Sequence, residues 1–293
     1  MAASTTLTAV LRLIVNADDY GLTPGINRAV EKLFVGRALT SATLMTGAPC
    51  VGPAVAFART HAELGVGCHL TLLDGAPVAD PASVPSLLSN DGKTLHRSLR
   101  AFLSKMFRGG IQADDIEREV AAQIQRMNSL GLKPTHVDTH KHTHMFPEVL
   151  APVLRAAKSL GILAIRNPFE PEWSVRTSPR AGWKRKTEVR LLRRFRETFL
   201  RQVTQQGFTT TEGTLGVAAT GSLNSATLRA LLESAPTQGT FELVCHPGYV
   251  DDELRASSTH LLASRTTEVA SLMESASLLR QKAELISYRE LST

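Results

Sequence analysis

Cysteine is scarce in this 293-residue chain: Cys50, Cys68 and Cys245 are odd in number and form no CxxC pair. A disulfide framework is therefore not expected, and the pattern fits a reducing, cytoplasmic compartment. Long apolar runs are missing as well. None approaches the roughly 20 residues needed to cross a bilayer, although the 43% apolar content is enough for a substantial core. Internal repeats and low-complexity tracts are absent. The N-terminal stretch MAASTTLTAVLRLIV lacks a basic leader and runs straight into an acidic motif, so it reads as a first strand rather than a signal peptide. The net charge of +6 is unevenly spread, and its location matters more than its total.

Short apolar runs alternate with amphipathic helical stretches, the pattern of parallel β/α architecture. Strand candidates are LRLIVNAD, SATLMTG, LGVGCHLTL, PTHVDTH, ILAIRNP and FELVCHP. Helix candidates are GINRAVEKLFVGRA, VGPAVAFARTHAEL, ADDIEREVAAQIQRMNSLG and FPEVLAPVLRAAKSLG. In the third, Asp114 is expected as N-cap and Gly131 as terminator. In the fourth, Pro147 or Pro152 suits a first turn and Gly161 a C-cap. The last segment, SASLLRQKAELISYRELST, reads as a helix plus a short closing strand. We expect one α/β domain over 1–293, an irregular TIM-like (β/α) barrel with helical insertions at about 76–110 and 171–220. In such a barrel, catalytic groups sit at the C-terminal ends of the strands.

Four strand-end motifs hold nearly all the chemically unusual residues: NADDYG, GCHLTL, HVDTHKHTHMFP and VCHPGY. Neighbours on a strand face opposite sides, so Asp18 and Asp19 can share a site only if regular alternation fails there. The strand is expected to end at Asp18 and turn through Gly21. His136, Asp138, His140, His142 and His144 all have one parity. Residues two apart on a strand lie about 6.5 Å apart, against metal–nitrogen bonds of about 2.0–2.1 Å. One ion cannot collect all five, so the strand should end near His140. A mononuclear site of one carboxylate and two imidazoles, with a position open to water, is the functional reading. His69 taken alone would serve equally well as a buried core histidine. Cys68 and Cys245 should face away from their histidine neighbours and pack in the core.

The blocks IVNADDYGLTPGIN, GVGCHLTL, KPTHVDTHKHTHMFP and CHPGYVDD, in this order, resemble the signature blocks of YdjC-like carbohydrate deacetylases. That group includes chitooligosaccharide deacetylases and deacetylases of hopanoid biosynthesis. The resemblance implies a hydrolase of carbohydrate metabolism that removes the N-acetyl group from an amino sugar, either an oligosaccharide or a lipid-linked glycoside such as an N-acetylglucosaminyl hopanoid. It implies one divalent metal ion, zinc, magnesium or another first-row ion, bound by Asp19, His69 and His140. Asp18 matches the general base and His246 the general acid. Supporting or substrate-contacting roles are expected for Asn16, Asp138, His142, His144 and Arg166, with Asn16 orienting Asp18 and Asp138 orienting His140. Tyr20 and Lys141 depart from the family's usual residues. The chemistry stands independently of the resemblance: amide hydrolysis needs an activated water, oxyanion stabilisation and a proton for the leaving amine.

Two basic segments add a further expectation. Leu192, Phe195 and Phe199 fall near one helical face among arginines, and Leu95, Leu99, Phe102 and Met106 repeat the pattern. Such helices either pack on the barrel or lie in an anionic membrane interface, which would make the enzyme peripheral at the inner face of the membrane. No nucleic-acid reading module is recognisable, and a homodimer remains open. The rival functional readings are a metal-dependent phosphoesterase and a non-catalytic sugar- or lipid-binding protein.

Overall fold

The computed structural model describes residues 10–178, 182–257, 259 and 261–291. The expectation of a first strand beginning before residue 10 falls outside them. In chain order the elements are β1 (Leu11–Tyr20), α1 (Pro24–Val35), β2 (Ser41–Leu44), α2 (Val51–Thr60), β3 (Gly65–Leu70), α3 (Leu99–Phe107), α4 (Ala113–Ser129), β4 (Val137–Thr139) and α5 (Pro147–Ser159). Then follow α6 (Glu172–Thr177), α7 (Trp183–Leu192), α8 (Arg196–Gln205), β5 (Thr214–Leu215), α9 (Ser225–Ser234), β6 (Gly239–Cys245), α10 (Asp252–Ala256), α11 (Ala263–Lys282) and β7 (Glu284–Leu285).

Among the described residues the named strands all pair parallel, in the order β4-β3-β2-β1-β6-β5, with β7 also paired to β1. β1 lies at the centre and is covered on both faces: Leu13, Val15 and Ala17 join the main core cluster, whereas Ile14 packs with Ala164, Ile286 and Tyr288 in the barrel interior, and all four β1 residues are fully buried. The segment ILAIRNP forms only isolated bridges, Ile165 with Val137 and Ala164 with Thr209. Together with the bond from Thr214 N to Phe169 O, these bridges span the gap between β4 and β5. The architecture is the expected irregular α/β barrel. β5 was not anticipated: a two-residue strand carries no periodicity to recognise.

Helix ends follow local chemistry. Thr23 caps α1, its Oγ1 accepting from Ile26 N, and Pro24 occupies the first turn, where its missing N–H costs nothing. Pro147 starts α5, whereas Pro152 lies inside it. Gly131 and Gly161 follow their helices with φ of 81° and 76°, the left-handed geometry that favours glycine. The N-cap of α4 is Gln112 rather than Asp114; Asp114 sits in the first turn, where a negative charge favours the helix dipole. The apolar sides of the basic segments turn inward. Phe102, Met106 and Phe199 are buried, and Leu192 and Phe195 pack against the core.

Candidate metal and catalytic site

The pairing of β1 with β2 explains the adjacent acids. Ala17 pairs with Ala42 and Tyr20 with Leu44, so β1 spends one extra residue between them. That is a β-bulge, and Asp19 adopts φ 65° within it. The strand thus continues to Tyr20 instead of ending at Asp18, and the break in alternation brings both carboxylates to one cleft. A second left-handed turn, Lys141 (φ 57°) and His142 (φ 53°), follows His140 directly after β4. It redirects the chain so that His140 faces Asp19.

Three donor atoms converge. His69 Nε2 lies 3.6 Å and His140 Nδ1 3.5 Å from Asp19 Oδ1, and the two nitrogens are 3.3 Å apart. Donors on a tetrahedral ion with bonds of 2.0–2.1 Å stand about 3.4 Å apart, so the spacing fits one cation. Asp19 Oδ1 is buried and finds no hydrogen-bond partner among the described residues, whereas Oδ2 accepts from Arg265 Nη2 at 2.5 Å. A buried unpaired carboxylate oxygen aimed at two imidazoles is what a divalent cation would satisfy. Burial works against ionising Asp19, but Arg265, His140 and His69 outweigh it and hold its carboxyl well below the usual range. Burial also opposes charge on His69. Asp138, with Asp18 and Asp19, overcomes this and pushes His69 up to about 9. The same negative surroundings attract a cation.

Asp138 Oδ1 meets His69 Nδ1 at 2.8 Å and thereby aims Nε2 into the site. This corrects the expected pairing of Asp138 with His140. Asp138 and His69 are register partners across β4 and β3, and a cross-strand neighbour is nearer than a residue two positions along the same strand. Asn16 Nδ2 donates to Asp18 Oδ1 at 3.1 Å, as expected. Arg166 is fully buried beneath the acids and does not line the cleft. It is bidentate to Asp18 (2.7 and 2.9 Å) and also pairs with Asp138 at 2.5 Å and Glu242 at 2.6 Å. Despite burial, Arg166 keeps Asp18 below its ordinary value and therefore ionised.

His246 Nε2 lies 3.8 Å from Asp18 Oδ2, on the β6 flank of the Asp19–His69–His140 cluster. Burial lowers its pKa in spite of the nearby acids. His142 lines the cleft, with Nδ1 buried and unpaired among the described residues. His144 does not reach it. Its Nδ1 meets Thr139 Oγ1 at 2.7 Å and its Nε2 donates to the Arg166 carbonyl at 3.1 Å, which braces the turn beneath the site. His136 stacks on Tyr288 inside the barrel at 3.5 Å between ring centres. Cys68 and Cys245 are buried in the core.

Several contributors escaped the sequence analysis. Arg265 holds Asp19, and Glu268 accepts the His246 backbone N–H at 2.6 Å. Both lie on α11, which offers no motif. Glu242 did carry a signal, a charge inside the apolar run FELVC. Lys141, the odd cation of the histidine cluster, pairs with Asp74 at 2.7 Å across the cleft mouth. Arg97 and Arg185, from the two insertions, also line the cleft.

Fold and site together define a parallel α/β-barrel protein with a buried carboxylate–imidazole cluster at its strand ends. Comparison makes this specific: the chain belongs to the family described as YdjC-like protein, whose profile matches residues 12–281. It is 33% identical to the carbohydrate deacetylase of Geobacillus stearothermophilus over 280 residues, covering 94% of this chain and 96% of that one. It is 30% identical over 250 residues to the chitooligosaccharide deacetylase of Salmonella schwarzengrund (strain CVM19633), covering 84% and 85%. Among solved structures, a proposed cellobiose-phosphate cleavage protein of Enterococcus faecalis V583 shares the fold. Its TM-score is 0.77 at 23% identity, covering 97% of this chain and 99% of that one. Among the described residues no helix is long and apolar enough to cross a membrane.

Proposed function

We propose that the protein is a metal-dependent carbohydrate N-deacetylase, cleaving the acetamide of an acetylated amino sugar. The observation that carries this reading is the orphaned Asp19 Oδ1 facing His69 Nε2 and His140 Nδ1, with two further proton-handling groups beside it. Asp19, His69 and His140 would hold one divalent cation, zinc or magnesium among the candidates. A cation there supplies an activated water and polarises the amide carbonyl. Asp18, fixed by Arg166 and Asn16, stays ionised and accepts a proton through Oδ2, the oxygen turned toward the cleft and His246. His246 delivers a proton to the leaving amine, a poor leaving group without it. Asp138 holds the His69 ring and His144 braces the His140 turn.

A two-ion phosphoesterase is less well supported. The second candidate cluster, Asp18–His69–Asp138, reuses His69, and both of its carboxylates are already engaged by Arg166. Retention of both proton-handling groups speaks against a purely binding role. We read the two insertions, about 76–110 and 171–220 of a single catalytic domain, as substrate-shaping elements. A lipid-linked glycoside such as an N-acetylglucosaminyl hopanoid is the finer candidate. Peripheral contact with an anionic bilayer would use exposed Trp183 (74%) and Leu191 (59%) among the α7 cations, because the other apolar residues of that segment pack inward.

The test is acetate release from N-acetylglucosamine oligomers and from a lipid-linked counterpart. Release that a chelator abolishes and added metal restores supports the reading. No release from either substrate in the metal-loaded protein overturns it. Failure to float with anionic vesicles at low salt overturns the membrane contact alone.

A further inference from the structure

Beside the catalytic cleft lies a second pocket of about 260 Å³, continuous with it through the shared residues Leu22, Met45 and Asp74. Its remaining wall comes from Gly47, Ala48 and Pro49 after β2, from Gly75, Ala76 and Val78 beyond β3, and from Thr71 and Gln123. Polar groups in this wall are matched with one another. Gln123 exchanges two hydrogen bonds with the Thr71 backbone, Oε1 accepting from N at 2.9 Å and Nε2 donating to O at 2.8 Å. Glu119 accepts the backbone N–H groups of Val78 and Ala79. The Asp74 carboxylate at the rim holds Lys141. What faces the space is largely aliphatic, with no aromatic ring on which a sugar could stack.

The position of the pocket decides its ligand. In the sheet, β1 separates β6 from β2, and β2 separates β1 from β3. His246, just past β6, lies on one side of β1 and Asp19; the side pocket, over the β2 and β3 ends, lies on the other side of that strand. If His246 protonates the leaving amine, the sugar occupies its flank. The substituent on the other side of the scissile amide carbon then points toward Leu22 and Met45. The methyl of an acetyl group fills roughly the volume of one water, about 30 Å³, a small part of this space.

We propose that this pocket is an acyl-chain site, so that the enzyme hydrolyses amino sugars N-acylated with chains of several carbons as well as N-acetyl sugars. The inference rests on the deacetylase reading and adds a second class of substrate to it. No covalent step differs: water adds to the acyl carbon, the C–N bond breaks, and a short fatty acid leaves in place of acetate while the amine takes up the proton.

The test compares N-acetyl-, N-butanoyl- and N-hexanoylglucosamine with the metal-loaded wild type, Ala76→Phe and Ala48→Leu, two variants that fill the pocket without touching the catalytic groups. Burying each added methylene is worth about fourfold, so wild-type kcat/KM should rise from the acetyl to the hexanoyl substrate. Both filled variants should keep acetyl turnover within about threefold and lose hexanoyl turnover by tenfold or more. A wild type that deacetylates but rejects the longer chains overturns the inference and leaves the deacetylase reading intact. So does an equal loss on all substrates, or a selective loss on alkyl glycosides of N-acetylglucosamine, which would make the pocket an aglycone site. If no N-acyl sugar is cleaved, both readings fall. Hexanoate should also raise the Tm of the wild type more than acetate does, a difference that the filled variants erase.

Discussion

Asp138 and His69 face each other across the β3–β4 ladder, Oδ1 to Nδ1 at 2.8 Å, both buried to 1% exposure or less. The carboxylate fixes the ring so that Nε2 points at Asp19. Asp138→Asn should therefore weaken metal affinity or turnover by about 10–100-fold. Competition with a chelating dye measures the first and acetate release the second. Wild-type values for both would refute the assignment.

Asp18 and Asp19 are sequence neighbours with different predicted fates. Asp18→Asn should retain metal affinity within a few-fold while turnover drops by about 10²–10⁴. Asp19→Asn should lose the metal itself. Metal content of the dialysed variants, read beside their activity, separates the two roles. Identical behaviour of both variants would contradict the division of labour.

Arg166 compensates Asp18, Asp138 and Glu242 in the barrel interior. Removing the guanidinium leaves buried carboxylates unpaired, a situation that costs about 3–5 kcal/mol. Arg166→Met should lower the urea midpoint accordingly. An unchanged midpoint would mean that water or protonation of Glu242, whose pKa burial already raises, replaces the arginine.

Acid lability should have an identifiable source. Burial lowers His136 to about 3 and His144 to about 4. The unfolded chain takes up these protons first, near pH 6.5, so the contribution is present above 6.5 and lost as pH falls toward those values. Each such group adds a slope of about 1.4 kcal/mol per pH unit within its window. His136→Phe, which keeps a ring against Tyr288, should flatten unfolding free energy against pH between about 6.5 and 3. An unchanged slope would exclude His136 as a source.

Glu268 should act with the opposite sign. Burial raises it to about 8, so the folded state holds its proton longer than the unfolded one. Its contribution is complete below about pH 4.5 and declines as pH climbs through 8. Glu268→Gln keeps an acceptor for the His246 N–H and should remove that alkaline decline. Unfolding curves at pH 5 and 9 check the difference.

The barrel class was legible because its central strands are continuous apolar runs ending in acids and histidines. The convergence of Asp18, Asp19, His69, His140 and His246 on one cleft was legible because those ends cluster in space whenever strands run parallel. What could not be read was register. Whether Asp138 would meet His69 or His140 depends on how β3 and β4 align, and nothing within either strand specifies it. Arg265 lay beyond reach for a related reason: it sits 246 positions from its carboxylate partner, on a helix with no distinguishing pattern. The side pocket was equally hidden, since its aliphatic lining carries no motif and its polar residues Thr71, Asp74 and Gln123 are widely spaced in sequence or taken up in local bonds.

The extra residue in β1 between Ala17 and Tyr20 has a consequence for how this motif tolerates change. Deleting one residue there should restore the pleat and rotate one acid into the packed interior, separating the proposed proton acceptor from the proposed ion ligand in a single event. The DD pair should therefore accept substitution more readily than a change in length, whereas the outlying connections after β3 and before β5 should lengthen or shorten without disturbing the centre.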